Sequence, residues 1–142
     1  MRRREVRLHC RLPRPAIHKD EIAAFVLDVL DRLELDGEVG VKFCSDPTMA
    51  TYNRKYRGKS GPTDVLSFPD GSVDPEGLAY IGDIVIAVPV AARQAKEAGH
   101  PLSAELKILL LHGILHLAGY DHETDSGTMN RKERSLRKEW GL

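Results

Sequence analysis

The stretch LHGILHLAGYDHE, Leu111 to Glu123, holds three of the chain's six histidines: His112, His116 and His122. Residues four apart on a helix share a face. His112 and His116 therefore project side by side, at a separation where two imidazoles can bind one metal ion. Gly119 stands where a helix commonly ends in a left-handed residue, a conformation that glycine adopts without steric penalty. The turn there carries His122 back toward the other two. Three residues separate the first pair, five separate the second, and a glycine lies three after His116. This is the ligand spacing of H-E-x-x-H-x-x-G-x-x-H metalloproteases. A lone helical histidine is usually a core or surface residue, but a buried apolar helix has no other use for two adjacent imidazoles.

Zinc is the first expectation for such a site, although imidazole also suits nickel and copper. Three protein ligands leave a tetrahedral ion one open position, which is a catalytic rather than a structural arrangement. Water in that position is acidified toward neutral pH. One residue breaks the protease pattern. Gly113 follows His112 where a peptidase of that type carries its glutamate base. The spacing thus points to a metal, and the missing glutamate argues against peptide hydrolysis. Asp121 or Glu123 suits a ligand-orienting or basic role, or that of an ordinary loop acid, and spacing leaves both readings open.

A second group of residues suits phosphate. YNRKYRGKSGPTDVLSFP packs Arg54, Lys55, Arg57 and Lys59 into a helix end and the loop after it. Such an edge fits phosphate contacts, and arginine offers bidentate recognition that lysine does not. The structural alternative is that Arg57 merely complements the helix dipole. A metal centre and a nearby arginine together suit a phosphodiester hydrolase.

The elements that must position these residues follow from periodicity. VRLHC and EVGVKFC alternate as half-buried strands. Between them DEIAAFVLDVLDRLEL carries one apolar helical stripe, Ile22, Phe25, Val26, Val29, Leu30 and Leu33, closed by Asp36-Gly37. SDPTMATYNRKYRG predicts a helix with an Asp N-cap, a Pro at its first position and an end at Gly58. DVLSF and AYIGDIVIAV are strands, and Pro89 opens a helix that stops at Gly99. Leu106 to Leu117 is almost wholly apolar and predicts the central buried helix. Thr128 to Trp140 predicts a basic amphipathic helix. The fold class is therefore α+β: residues 1–142 form a single domain, with a small mixed sheet of about four strands packed with about five helices.

Composition sets wider bounds. The 142 residues suffice for a core without disulfides or a structural metal. Lys plus Arg and Asp plus Glu are 21 each, so net charge favours no partner class. Cations nevertheless cluster at Arg2–Arg14, Arg54–Lys59 and Arg131–Lys138, where most such runs are solvated faces. Cys10 and Cys44 each end an alternating run, which predicts small buried strand residues in a reducing compartment. No apolar run reaches the ~20 residues of a membrane span, and MRRREVRLHC lacks a signal peptide's apolar region. A cytoplasmic protein without membrane partners is expected.

HGILHLAGYDH, YRGKSGPTDVLSFP and IGDIVIA closely resemble the YbeY family of bacterial endoribonucleases, from about Val39 to the C-terminus. The first 38 residues match only in layout. The resemblance implies a metal-dependent endoribonuclease of single-stranded RNA, usually with zinc. It implies a role in 3′-end maturation of 16S ribosomal RNA and in ribosome quality control, with the small subunit and assembly factors as partners. Residue by residue, His112, His116 and His122 become the metal ligands and Arg57 the catalytic arginine across a cleft. Arg57 and Lys59 become substrate contacts, and Thr63 to Pro69 a strand lining that cleft. Ser60 departs from the acid expected after the lysine. Two other readings compete: a metal hydrolase of another substrate, against which Gly113 weighs, and a ribosome-assembly binding factor with a structural metal, against which a three-histidine ligand set weighs.

Overall fold

The computed structural model describes residues 3–10, 12, 17–120 and 126–142. Its elements in chain order are β1 (Arg4–Cys10), α1 (Lys19–Arg32), β2 (Gly37–Cys44), α2 (Asp46–Arg57), β3 (Val65–Pro69), β4 (Tyr80–Ala87), α3 (Val88–Ala98), α4 (Leu102–Leu117) and α5 (Thr128–Glu139). The four strands form one mixed sheet in the order β1-β2-β4-β3. β1 and β4 both run parallel to β2, and β3 runs antiparallel to β4 along the edge. The α+β expectation and its element list are met.

Strand alternation gives the sheet two different faces. Val39, Val41, Phe43, Ile84 and Ile86 point to one side and pack against the apolar stripe of α1 and against α4. Leu106, Leu110, Leu111, Ile114 and Leu115 of α4 are almost entirely buried, which explains the unbroken apolar run in the sequence. On the other side a smaller cluster, Cys44, Met49, Leu66, Val85 and Ala87, sits under α2 with Tyr52 and Phe68. The helix carrying the histidines is thereby clamped between the sheet and the helices around it.

Three local expectations need correction. The N-cap of α2 is Ser45, not Asp46: its Oγ accepts from the Thr48 amide at 3.4 Å. Asp46 instead receives Arg93 of α3 at 3.0 Å, a partner remote in sequence. α1 ends at Arg32, earlier than Asp36-Gly37, because Glu34 turns to φ 56° and Gly37 already belongs to β2. Cys10 is only half-buried, since it ends an edge strand, whereas Cys44 is buried.

Much of the N-terminal cation cluster is neutralised locally. Arg4 bridges Asp31 and Asp36, both at 2.9 Å, tying β1 to the end of α1. Arg3 meets Glu5 at 3.2 Å and Arg7 meets Glu38 at 3.0 Å. Arg2, Arg11 and Arg14 lie outside the described residues.

Candidate metal centre and phosphate-binding cleft

α4 delivers the first two histidines as the four-residue spacing predicts. The His112 and His116 rings meet edge to face with centroids 4.8 Å apart. The helix then closes in a Schellman arrangement. The Gly119 amide donates to the His116 carbonyl at 3.0 Å, and the Tyr120 amide donates to Leu115 at 3.1 Å. Gly119 has φ 100°, the left-handed region that a side chain resists. The chain therefore leaves α4 sharply, as a third ligand would require. His122, Asp121 and Glu123 lie outside the described residues, and no three metal-binding side chains cluster among those described.

α5 contributes what the sequence did not announce. Glu133 Oε1 lies 2.9 Å from His112 Nδ1 and is itself largely buried. This hydrogen bond raises the imidazole's pKa; burial opposes the rise, while the Glu133 and Asp64 charges add to it. The contact fixes the ring's orientation, and a metal held by His112 would be bound through Nε2, as in the carboxylate–histidine arrangement common at metal sites. Two neighbouring imidazoles, one held by a carboxylate, are a donor set that fits a zinc-type ion.

The histidines border a cleft of about 520 Å³. Arg57, Thr63 to Ser67, Pro69, Gly119 and Tyr120 complete its lining. Arg57 comes from the last turn of α2, which stops at Gly58 in the left-handed conformation. Among the described residues no carboxylate pairs with the Arg57 guanidinium. The loop behind it is held by buried Asn53, whose Nδ2 donates to the Gly61 carbonyl at 2.9 Å. β3 forms the wall opposite α4, and Ser67 Oγ donates to the Gly113 carbonyl at 3.4 Å. Asp64 is the carboxylate of this wall. Its Oδ1 accepts the Val65 amide at 2.7 Å, and its Oδ2 receives Gln94 at 3.4 Å. Lys59 is exposed and is not among the lining residues.

Gly113 has a packing reason to be small. A Cβ there would lie 3.0 and 3.1 Å from the Ile84 Cγ2 and Cδ1 atoms and 3.1 Å from Ser67 Oγ. The position faces the sheet and has no room for a glutamate side chain.

The family model described as Endoribonuclease YbeY matches residues 9–141. The chain belongs to the YbeY family. It is 46% identical to the Endoribonuclease YbeY of Moorella thermoacetica over 107 residues, covering 70% of this chain and 69% of the relative. It is 40% identical to the Aquifex aeolicus protein of the same name over 136 residues, covering 95% and 89%. A solution structure of a Thermotoga maritima protein superposes with a TM-score of 0.64 at 27% identity, covering 96% of this chain and 89% of that one. Membership rests on nearly the whole chain, so it includes the N-terminal part that the motifs alone matched only in layout.

Glu133 and Asn53 are the residues that sequence reasoning missed. Glu133 reads as one acid in a basic helix, and Asn53 as one polar residue in a polar helix. Only packing of α5 on α4 and of the Gly58–Thr63 loop on α2 reveals what each holds.

Proposed function

We propose that this chain is a zinc-dependent endoribonuclease of single-stranded RNA, acting in 3′-end maturation of 16S ribosomal RNA and in ribosome quality control. Its setting is the cytoplasm, with the small ribosomal subunit and assembly factors as partners. The observation that carries the reading is the convergence of His112 and His116 with Arg57 on one cleft in a member of this family.

His112, His116 and His122 would hold the ion. When bound, it supplies Lewis acidity and lowers the pKa of water. The chain's own residues do the rest. Glu133 keeps the His112 ring in one orientation and tautomer. Arg57 places a planar, permanently charged fork in the cleft, suited to gripping a phosphate and to offsetting the charge that grows on it. Ser67 and Thr63 add hydroxyls along the β3 wall. Lys59, just past the end of α2, meets the RNA backbone outside the cleft.

The test compares cleavage of a defined single-stranded RNA by the wild type, by His116→Ala and by the wild type with chelator. Cleavage by the wild type alone supports the reading. Cleavage that survives both treatments removes the metal from it.

A further inference from the structure

The sheet face away from α1 and α4 is covered only in part. α2 shelters one side, and a groove of about 490 Å³ crosses the remainder. Its floor is a row in register across all four strands: Arg7 beside Gly40, Gly40 beside Asp83, and Asp83 beside Phe68. A second row begins with His9 beside Lys42. Tyr52 and Tyr56 of α2 form the wall next to Phe68.

The lining combines aromatic rings with cations. Tyr52 and Tyr56 stack with centroids 6.0 Å apart, and Tyr56 meets Phe68 edge to face at 5.0 Å. Tyr56 is 53% exposed, which is unusual for a large ring. The Lys42 ammonium donates to the Tyr52 hydroxyl at 2.9 Å, so its partner is a phenol rather than a carboxylate. Arg7 pairs with Glu38 yet remains 78% exposed. Asp83 accepts the Tyr80 hydroxyl through Oδ1, which leaves Oδ2 to receive a base amino group. Burial and this carboxylate both push the Tyr80 phenol's pKa up. Gly40 keeps the groove open at its centre, because a Cβ there would collide with the Asp83 carboxylate and the Tyr80 hydroxyl.

We propose that this groove binds a segment of single-stranded RNA, with bases stacked on Tyr56 and Phe68 and phosphates held by Arg7, His9 and Lys42. An exposed tyrosine beside half-buried rings, interleaved with cations, offers the chemistry of single-strand binding, since every base has a face and every nucleotide a phosphate. Four strands span roughly 14 Å at their usual spacing, room for a few nucleotides. The groove also shares a rim with the cleft. Tyr56 lines the groove and Arg57 the cleft; Phe68 lines the groove while Ser67 and Pro69 line the cleft. One strand passing over the end of α2 and β3 meets both. The groove would thus hold RNA flanking the scissile bond.

The proposal rests on RNA being the substrate, and its test separates the two. Fluorescence anisotropy measures binding of a labelled single-stranded 12-mer RNA, and cleavage is followed on the 12-mer and on a tetranucleotide. Tyr56→Ala and Arg7→Ala alter exposed side chains outside the cleft. Tyr56→Ala should weaken 12-mer binding roughly five- to hundredfold, the worth of one base stack, and slow cleavage of the 12-mer more than that of the tetranucleotide. Arg7→Ala should weaken 12-mer binding less and flatten its salt dependence, because it removes a permanent cation. Wild-type cleavage with unaltered 12-mer binding by both variants overturns the groove and keeps the function. Tyr56-dependent binding without any cleavage keeps the groove and overturns the function. Absence of wild-type RNA binding overturns both.

Discussion

Replacing Gly113 by alanine sets two known effects against each other. Alanine in a helix interior is favoured over glycine by about 1 kcal/mol. The new methyl, however, would stand 3.0–3.1 Å from two Ile84 carbons and from Ser67 Oγ. Ile84 is fully buried in β4, an inner strand flanked by β2 and β3, so it has little freedom to withdraw. Overpacking of this kind costs about 1–3 kcal/mol. The balance predicts a net loss of about 1 kcal/mol, which lowers the melting temperature by roughly 3–5 °C for a domain of this size. Circular dichroism melts and urea titrations measure it. Ile84→Val removes the Cδ1 methyl and alone costs about 0.5–1.5 kcal/mol. Combined with Gly113→Ala, it should cost less than the sum of the single changes, because the two atoms compete for one space. A Gly113→Ala protein more stable than wild type, or strictly additive losses in the pair, would refute the packing argument. Gly113→Glu should fail to fold rather than create a peptidase.

Arg57→Ala should retain metal content and melting temperature while cleavage of single-stranded RNA falls on the order of 10²–10³-fold, as for loss of one transition-state donor; unchanged rates would take Arg57 out of the mechanism. Glu133→Gln should weaken zinc binding about 10–100-fold, read by competition with a chelating dye, and equal affinity would refute the orienting role. In the metal-free protein the His112–Glu133 contact raises the folded imidazole pKa, so its stabilisation is complete below the unfolded value of ~6.5 and fades as pH rises through the folded one. The stability gap between wild type and Glu133→Gln should therefore be wider at pH 5.5 than at pH 8.5, and a gap that widens with pH would reverse the sign. Burial pushes the Cys44 thiol up to about 11, so native Cys44 should resist iodoacetamide at pH 8 and react once the chain is unfolded; equal labelling by mass spectrometry would show the thiol accessible.

Much of the site was legible because its signals are local. The i, i+4 histidines, the glycine ending α4 and the glycine ending α2 all act within one or two helical turns. The α2 cap was misread by one residue because Ser45 and Asp46 are both good caps, and the contact that occupies Asp46 comes from Arg93 in α3. The end of α1 was misread because Leu33 continues the apolar stripe after the helix has stopped. Glu133 was invisible for a different reason. It lies 21 residues from His112, and no periodicity encodes how α5 packs on α4. Gly113 was noticed for the side chain it lacks; its neighbours in β3 and β4 explain the lack as a steric requirement. The open sheet face was equally hidden, since alternation in β1, β2 and β4 reveals which residues point outward but not that the face stays partly uncovered.

The central claim is metal-dependent cleavage inside a single-stranded RNA. A circular single-stranded RNA, which offers no ends, tests it directly with protein stripped by chelator and then reloaded with zinc. The account predicts that the stripped protein leaves the circle intact, that one equivalent of zinc restores linearisation, and that His116→Ala does not recover. A circle linearised equally by stripped protein, or left intact by the reloaded wild type, would contradict it.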